Sequence, residues 1–280
     1  TQGQTLNYLF SLEGEATTSV EQAPLPPIQT TMQGRIDCVQ RIGEVYDDAS
    51  ARVEMSCPGM VLNMNTAGQS ISILWENGKL SLMVNGQAQP APEGMDFSKI
   101  PFLGAPLKLR IDRLGRVVEM QPADLGVLQG MVGNLNFSEL LKASQNQLPD
   151  HPVGVGESWT AEVKVALPGT DQSLTANALY TLAGIETLNG QEVARIAMNG
   201  SVQAANLKFA APTPEGAPAE VVIEELKQDA QGTIWFATQL GQPVKNELSM
   251  TMHEVISAPS PMGPQKVSVD MKMNMTMSLK

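Results

Sequence analysis

The chain has 280 residues, a formal net charge of −11, 17% charged and only 4% aromatic residues. A chain this acidic lacks the basic footprint that nucleic acid or an anionic membrane surface requires, and its polar side chains are largely Gln, Asn, Ser and Thr, a surface common among exported β proteins. No run approaches eighteen apolar residues, so no transmembrane helix is expected, and Thr1-Gln2-Gly3-Gln4-Thr5 does not resemble a signal peptide. The signal of an exported precursor, and any lipid-bearing Cys, would therefore lie outside these residues.

Leu6 to Glu15 reads as a first strand, followed by a Pro-rich turn at Pro24 to Pro27. A hairpin is predicted from Thr31 to Val45 and back through Ala51 to Cys57, with Tyr46 to Ala49 at its tip. In that register paired residue numbers sum to 95, so that Gln40 faces Met55, Ile42 faces Val53 and Cys38 faces Cys57. Two cysteines placed opposite each other by an independently drawn hairpin point to a disulfide and an oxidising compartment. Two reduced core thiols are the alternative, while a metal site lacks a second Cys or His pair at ligand spacing. Ser70 to Val84 forms a further hairpin around Asn77-Gly78, and Leu107 to Met120 another around Leu114-Gly115.

Residues 122–148 change character. Leu125, Leu128, Val132 and Leu135 have helical spacing, weakened by Gly126, Gly130 and Gly133, and Asn136-Phe137-Ser138-Glu139 is cap-like. Two short amphipathic helices are expected. Strands then return at Trp159 to Leu167, Leu174 to Ile185, Gln191 to Met198, Val202 to Phe209, Gly232 to Thr238 and Gln242 to Glu254, with turns at Leu188 to Gly190, Asn199-Gly200 and Leu240-Gly241. Landmarks also echo one another, Asn77-Gly78 with Asn199-Gly200 and Pro92-Glu93-Gly94 with Pro214-Glu215-Gly216, as in two related halves. From Val267 to Lys280 apolar and polar residues alternate without a lapse, which predicts one strand about 45 Å long that needs a broad sheet to belong to.

The expected fold is mainly β: a large curved antiparallel sheet or half-barrel built from two related β halves, with a short helical pair between them. Its parts are an N-terminal β half at 1–121, a helical connector or lid at 122–148 and a C-terminal β half at 149–280, either as separate units or as one continuous domain.

Sixteen methionines stand out. Met250, Met252, Met271, Met273, Met275 and Met277 fall on one face of two strands, where they line either a dry core or a concavity for a lipid or another apolar small molecule. A third possibility is that these soft thioethers, near His253, hold Cu(I). Catalysis has little support and no cofactor is expected: only His151 and His253 are present, no G-x-S-x-G elbow occurs, and Asp47-Asp48 and Glu224-Glu225 are neighbours that either point apart or lie in solvent. Gly154-Val155-Gly156 and the glycines from Gly126 to Gly133 do not follow a strand into a helix, so no phosphate loop is expected.

Leu148 to Trp159, LPDHPVGVGESW, resembles a Pro-x-x-Pro-Val-x-Val-Gly-x-x-Trp element of uncharacterised bacterial exported proteins, many of them lipoproteins, in which it opens a C-terminal β half. In plan, a β-rich exported chain with a mid-chain helical pair is similar to the LolA/LppX lipoprotein-carrier fold. The resemblance implies export to the periplasm or beyond, with binding of an apolar ligand, and brings no catalytic residues. The sequence thus points to an exported non-enzymatic binder of a lipid-like ligand, with a ligand-free structural or surface-interaction module and a periplasmic Cu(I) binder as the other readings.

Overall fold

Alternation of apolar and polar residues makes a strand with one dry and one wet face, and in this chain the alternation runs long. The computed structural model describes residues 2–21, 26–76, 78–90, 103, 105–121, 148–166, 173–212, 218–258 and 265–280. Its strands are β1 Thr5–Val20, β2 Ile28–Val45, β3 Ala51–Thr66, β4 Gln69–Glu76, β5 Lys79–Val84, β6 Gln87–Gln89, β7 Leu107–Ile111, β8 Val117–Gln121, β9 Ser158–Ala166, β10 Ser173–Leu188, β11 Gln191–Pro212, β12 Pro218–Ala237, β13 Gln242–Ala258 and β14 Gln265–Leu279. Several are about three times the usual strand length of about 5 to 6 residues.

All belong to one open, curved antiparallel sheet in the order β6-β5-β4-β3-β2-β1-β14-β13-β12-β11-β10-β9. The first and last strands meet at its centre, and each half then meanders outward. Their ladder runs without a shift from Tyr8 opposite Leu279 to Val20 opposite Val267. Beyond its end, the Lys280 amide donates to the Asn7 carbonyl at 2.9 Å and its ammonium pairs with Asp37. The second half of β3 pairs with β4, whereas its first half pairs with β7, so the β7–β8 hairpin attaches as a branch.

The expected architecture of two β halves with a helical pair between them is corrected. Among the described residues there is no helix, and the halves join edge to edge through β1 and β14 into one sheet. All but Leu148 of the segment on which the helical pair falls lies outside the described residues. Each of the three glycines there costs a helix about 1 kcal/mol, whereas apolar alternation in β1 and β14 matches position for position.

The turn expected at Asn199-Gly200 is a second correction, because β11 runs straight through it. Gly200 occupies an inward position between Ala178 and Ala230, so the alternation Met198, Gly200, Val202 is unbroken. The echo with Asn77-Gly78 is therefore not one of turn with turn: Gly78, at φ +83°, lies where β4 gives way to β5.

Most of the fully buried side chains gather towards the end of the sheet that carries the chain termini. Leu6, Tyr8, Cys38 and Cys57 form one cluster there, Val53, Leu107, Leu109 and Met120 a second, and Val193, Ala237 and Val244 a third. Trp159, Tyr180, Leu182, Ile196 and Ile234 extend this packing across β9 to β12, while Leu207, Ile223 and Leu226 form a smaller cluster towards the opposite end.

Candidate functional site

Every residue of the central strands falls on one of two faces. Across β5, β4, β3, β2, β1, β14, β13, β12, β11, β10 and β9, one row of opposed residues is Val84, Ile71, Met64, Met32, Gly14, Met273, Met250, Ala230, Gly200, Ala178 and Ala161. The next row on the same face is Leu82, Ile73, Leu62, Gly34, Leu12, Met275, Leu248, Gly232, Met198, Tyr180 and Trp159. Neither row contains a charge. The intervening row on the other face is mostly polar, running through Asn63, Gln33, Glu13, Asn274, Ser249 and Gln231 at its centre, all exposed.

The six methionines singled out in the sequence all lie on the apolar face. Met250 stands opposite Met273, Met252 opposite Met271, Met275 opposite Leu248 and Met277 opposite Asn246. All six are half-buried, as are Met32 and Met64. A face enclosed between two packed layers would bury such side chains outright. The thioethers lie over small residues: a Cβ on Gly14 would be 3.8 Å from both Met273 Cγ and Met32 Cε, so the two side chains close over the bare backbone of β1 from either side. Gln228 Nε2 donates to Met250 Sδ at 2.7 Å.

His253 is on the opposite face, with Nδ1 2.7 Å from Asp270 Oδ1, so it is not among the thioethers. There it borders a shallow groove of about 540 Å³ that includes Glu15, Lys227, Asp229 and Lys272. The ion pairs of this face, such as Lys227 with Glu225 and Lys272 with Glu15, are solvated and contribute little. His151 is an exposed loop residue beside Asp150. Among the described residues no three His, Cys, Asp or Glu side chains converge as a metal site.

At the termini end the apolar face is drawn inward. Gln40 on β2 and Gln242 on β13 meet at 3.5 Å with two strands between their own, a separation of about 14 Å on a flat sheet, so the face is concave there. The Tyr8 hydroxyl likewise reaches past β14 to donate to the Pro243 carbonyl at 3.2 Å, and burial pushes its pKa up to about 12. Cys38 and Cys57 are joined in a disulfide within this packed end. The observed pairs Gln40 with Met55 and Ile42 with Val53 keep the register expected from sequence, and a shift between Asp37 and Val39 then moves Asp37 opposite Gly59.

No protein-family model matches the sequence, and no curated protein matches it. Among solved structures the chain is similar to one described as lipid-protein interactions in lipovitellin, at 10% identity and a TM-score of 0.47, over 100% of this chain and 25% of that one. The chain thus spans a quarter of the length of that protein. It is also similar to OccK5 (OpdH) of Pseudomonas aeruginosa, at 6% identity and a TM-score of 0.24, over 99% and 98% of the two chains. OccK7 (OpdD) of the same organism gives 7% and 0.24, over 99% of each. At these scores nothing that those proteins bind or do carries over to this chain.

The LPDHPVGVGESW element forms the entry to β9. Gly156 takes φ +91°, the Gly154 amide donates to Glu157 Oε2 at 2.5 Å, and the Gly156 amide donates to the Leu182 carbonyl at 2.7 Å. Trp159 then turns inward and stacks on Tyr180 at 5.5 Å. Two polar features have no counterpart in the sequence reading. Arg110 pairs with Asp48 at 2.8 Å, donates to Ser50 Oγ at 2.8 Å and lies over the Tyr46 ring, clamping the β2–β3 turn to β7. The hydrogen bonds from Ser50 and the Arg110 charge hold Asp48 below its usual carboxylate range. The second is Glu254, which stands on the apolar face; the pattern Met250, Met252, Glu254, Ile256 carried that signal.

Proposed function

We propose that the chain is an exported, non-enzymatic binding protein that holds a lipid-like or other apolar ligand against the methionine-rich face of its sheet. The observation that carries this reading is the half-buried state of Met250, Met252, Met271, Met273 and Met275 on a face without charge in two complete rows. Apolar surface left partly in water is the surface that a ligand can remove from it, at about 2.5 kcal/mol for each 100 Å² covered. Thioethers suit this task because they are flexible and polarizable and conform to chains of differing shape. The Cys38–Cys57 disulfide supports an oxidising compartment, periplasmic or extracellular, and the likeness of LPDHPVGVGESW to exported proteins points the same way.

Organic extraction of the purified protein, paired with native mass spectrometry before and after, tests the reading. A co-purifying lipid, and rebinding of a single-chain lipid by the stripped protein, are expected. Placing carboxylates in the centre of the face, with Met250→Asp and Met273→Asp together, should abolish rebinding while leaving the disulfide formed. No lipid and no rebinding would leave the ligand-free structural module.

A second reading has one specific observation in its favour: Met250 with Met273 and Met252 with Met271 form a block of four thioethers on adjacent strands, a donor set suited to Cu(I). Anaerobic Cu(I) titration decides it, since weak or absent binding removes the metal reading.

A further inference from the structure

Along β2, β1, β14 and β13 the inward positions carry a single charge, Glu254. It lies opposite Val269 on one side and Leu226 on the other, with Met252 and Ile256 two residues away on the same face. The nearby cations are directed elsewhere: Lys227 pairs with Glu225, Lys266 with Glu224 and Lys272 with Glu15. Their registers put Lys227, Lys266 and Lys272 on the opposite face. Glu254 makes no hydrogen bond or ion pair among the described residues. A half-buried carboxylate without a partner is costly, and burial raises its pKa, with no cation to offset the loss of water.

From Glu254 the same face continues along β13 through Met252, Met250 and Leu248, a run of about 20 Å at the strand rise, on the scale of one extended fatty chain. The site therefore offers an acid at one end and an unbroken apolar track from it. We propose that the ligand of this face is a single-chain amphiphile with a primary ammonium head group, the head paired with Glu254 and the chain lying along Met252, Met250 and Leu248. This rests on the reading of the face as an apolar-ligand site and adds its head-group chemistry. An ammonium supplies both the positive charge and the donors that Glu254 lacks, whereas a fatty acid would set a second carboxylate against it.

Three probes of equal chain length separate the two ideas: dodecylamine, dodecanol and dodecanoate, each below its micellar concentration, titrated into the delipidated protein at pH 7 and followed by native mass spectrometry and calorimetry. The expected order is amine over alcohol over carboxylate, with the amine at least about tenfold tighter than the carboxylate, a difference of about 1.4 kcal/mol. Glu254→Gln should bring amine and carboxylate to within about twofold of each other while leaving dodecanol binding unchanged; Glu247→Gln, an exposed carboxylate on the polar face, should leave the wild-type order intact and so controls for net charge. Equal binding of all three probes, or an amine preference that survives Glu254→Gln, overturns the head-group assignment and leaves the apolar face standing. Failure of every probe overturns the apolar-ligand reading itself.

Discussion

Trp75 is 1% exposed, and its indole Nε1 has no hydrogen-bond partner among the described residues. A buried donor left unsatisfied costs about 1 to 3 kcal/mol, while the ring itself fills the core, so the two parts of this side chain act in opposite senses. Trp75→Phe should therefore change the denaturant midpoint little, and Trp75→Ala should cost about 3 to 5 kcal/mol; similar losses in both would contradict this division. Tyr8 gives a pH signature. Its folded pKa of about 12 lies above the ordinary tyrosine value of 10.0, so the folded state holds the proton more tightly and the associated stability is complete below pH 10 and is lost as the pH rises towards 12. Alkaline unfolding followed by circular dichroism should show this component, and Tyr8→Phe should remove it at a cost of about 1 kcal/mol at neutral pH for the lost bond to Pro243. Glycine also sets packing at a specific site: a Cβ on Gly232 would sit 2.6 Å from the Glu247 carbonyl, so Gly232→Ala must push β12 away from β13 and should cost about 1 to 3 kcal/mol.

At the scale of elements, local alternation made much of the fold readable and also marks where it was not. The β2–β3 register followed from pairing Ile42 with Val53, which put Cys38 near Cys57. Reduction, or Cys38→Ser with Cys57→Ser, should cost about 3 kcal/mol in the chain-entropy account of a loop of this size, measured by denaturant unfolding. The first part of β12 escaped notice because of a bulge at Glu224, which moves the inward apolar residues from a spacing of two to a spacing of three, Ile223 to Leu226. Beside it Asn206 takes φ +56°, and β11 shows the same interval between Ala204 and Leu207. Three-residue spacing mimics a helix and hides a bent strand. Asn tolerates this left-handed backbone and a β-branched residue does not, so Asn206→Val should destabilise by about 1 to 2 kcal/mol while Asn206→Gly is nearly neutral.

For the whole molecule, the pairing of β1 with β14 decides the architecture and was not legible, because no local pattern says which of several compatible alternating strands will be neighbours. The methionine row of β14 was legible as an inward face. What the sequence could not show is that the face divides lengthwise, dry where Leu279 packs with Leu6, Tyr8 and Val244, and half open along Met275, Met273 and Met271. Glu254 lies towards the open part, two strands from Thr18 of β1. The closed end draws the face inward, and the half-open stretch is where the proposed ligand would lie.

The most direct measurement is a nuclear magnetic resonance titration of protein labelled at the methionine methyl groups, with a single-chain lipid added below its micellar concentration. Met83 lies on the polar face and is 43% exposed, which makes it the internal control. Saturable shifts at Met250, Met252, Met271, Met273 and Met275, with Met83 unmoved, are the predicted result. Shifts confined to Met83, or no saturable shift at the five inward methionines, would contradict the assignment of the apolar face as the binding surface.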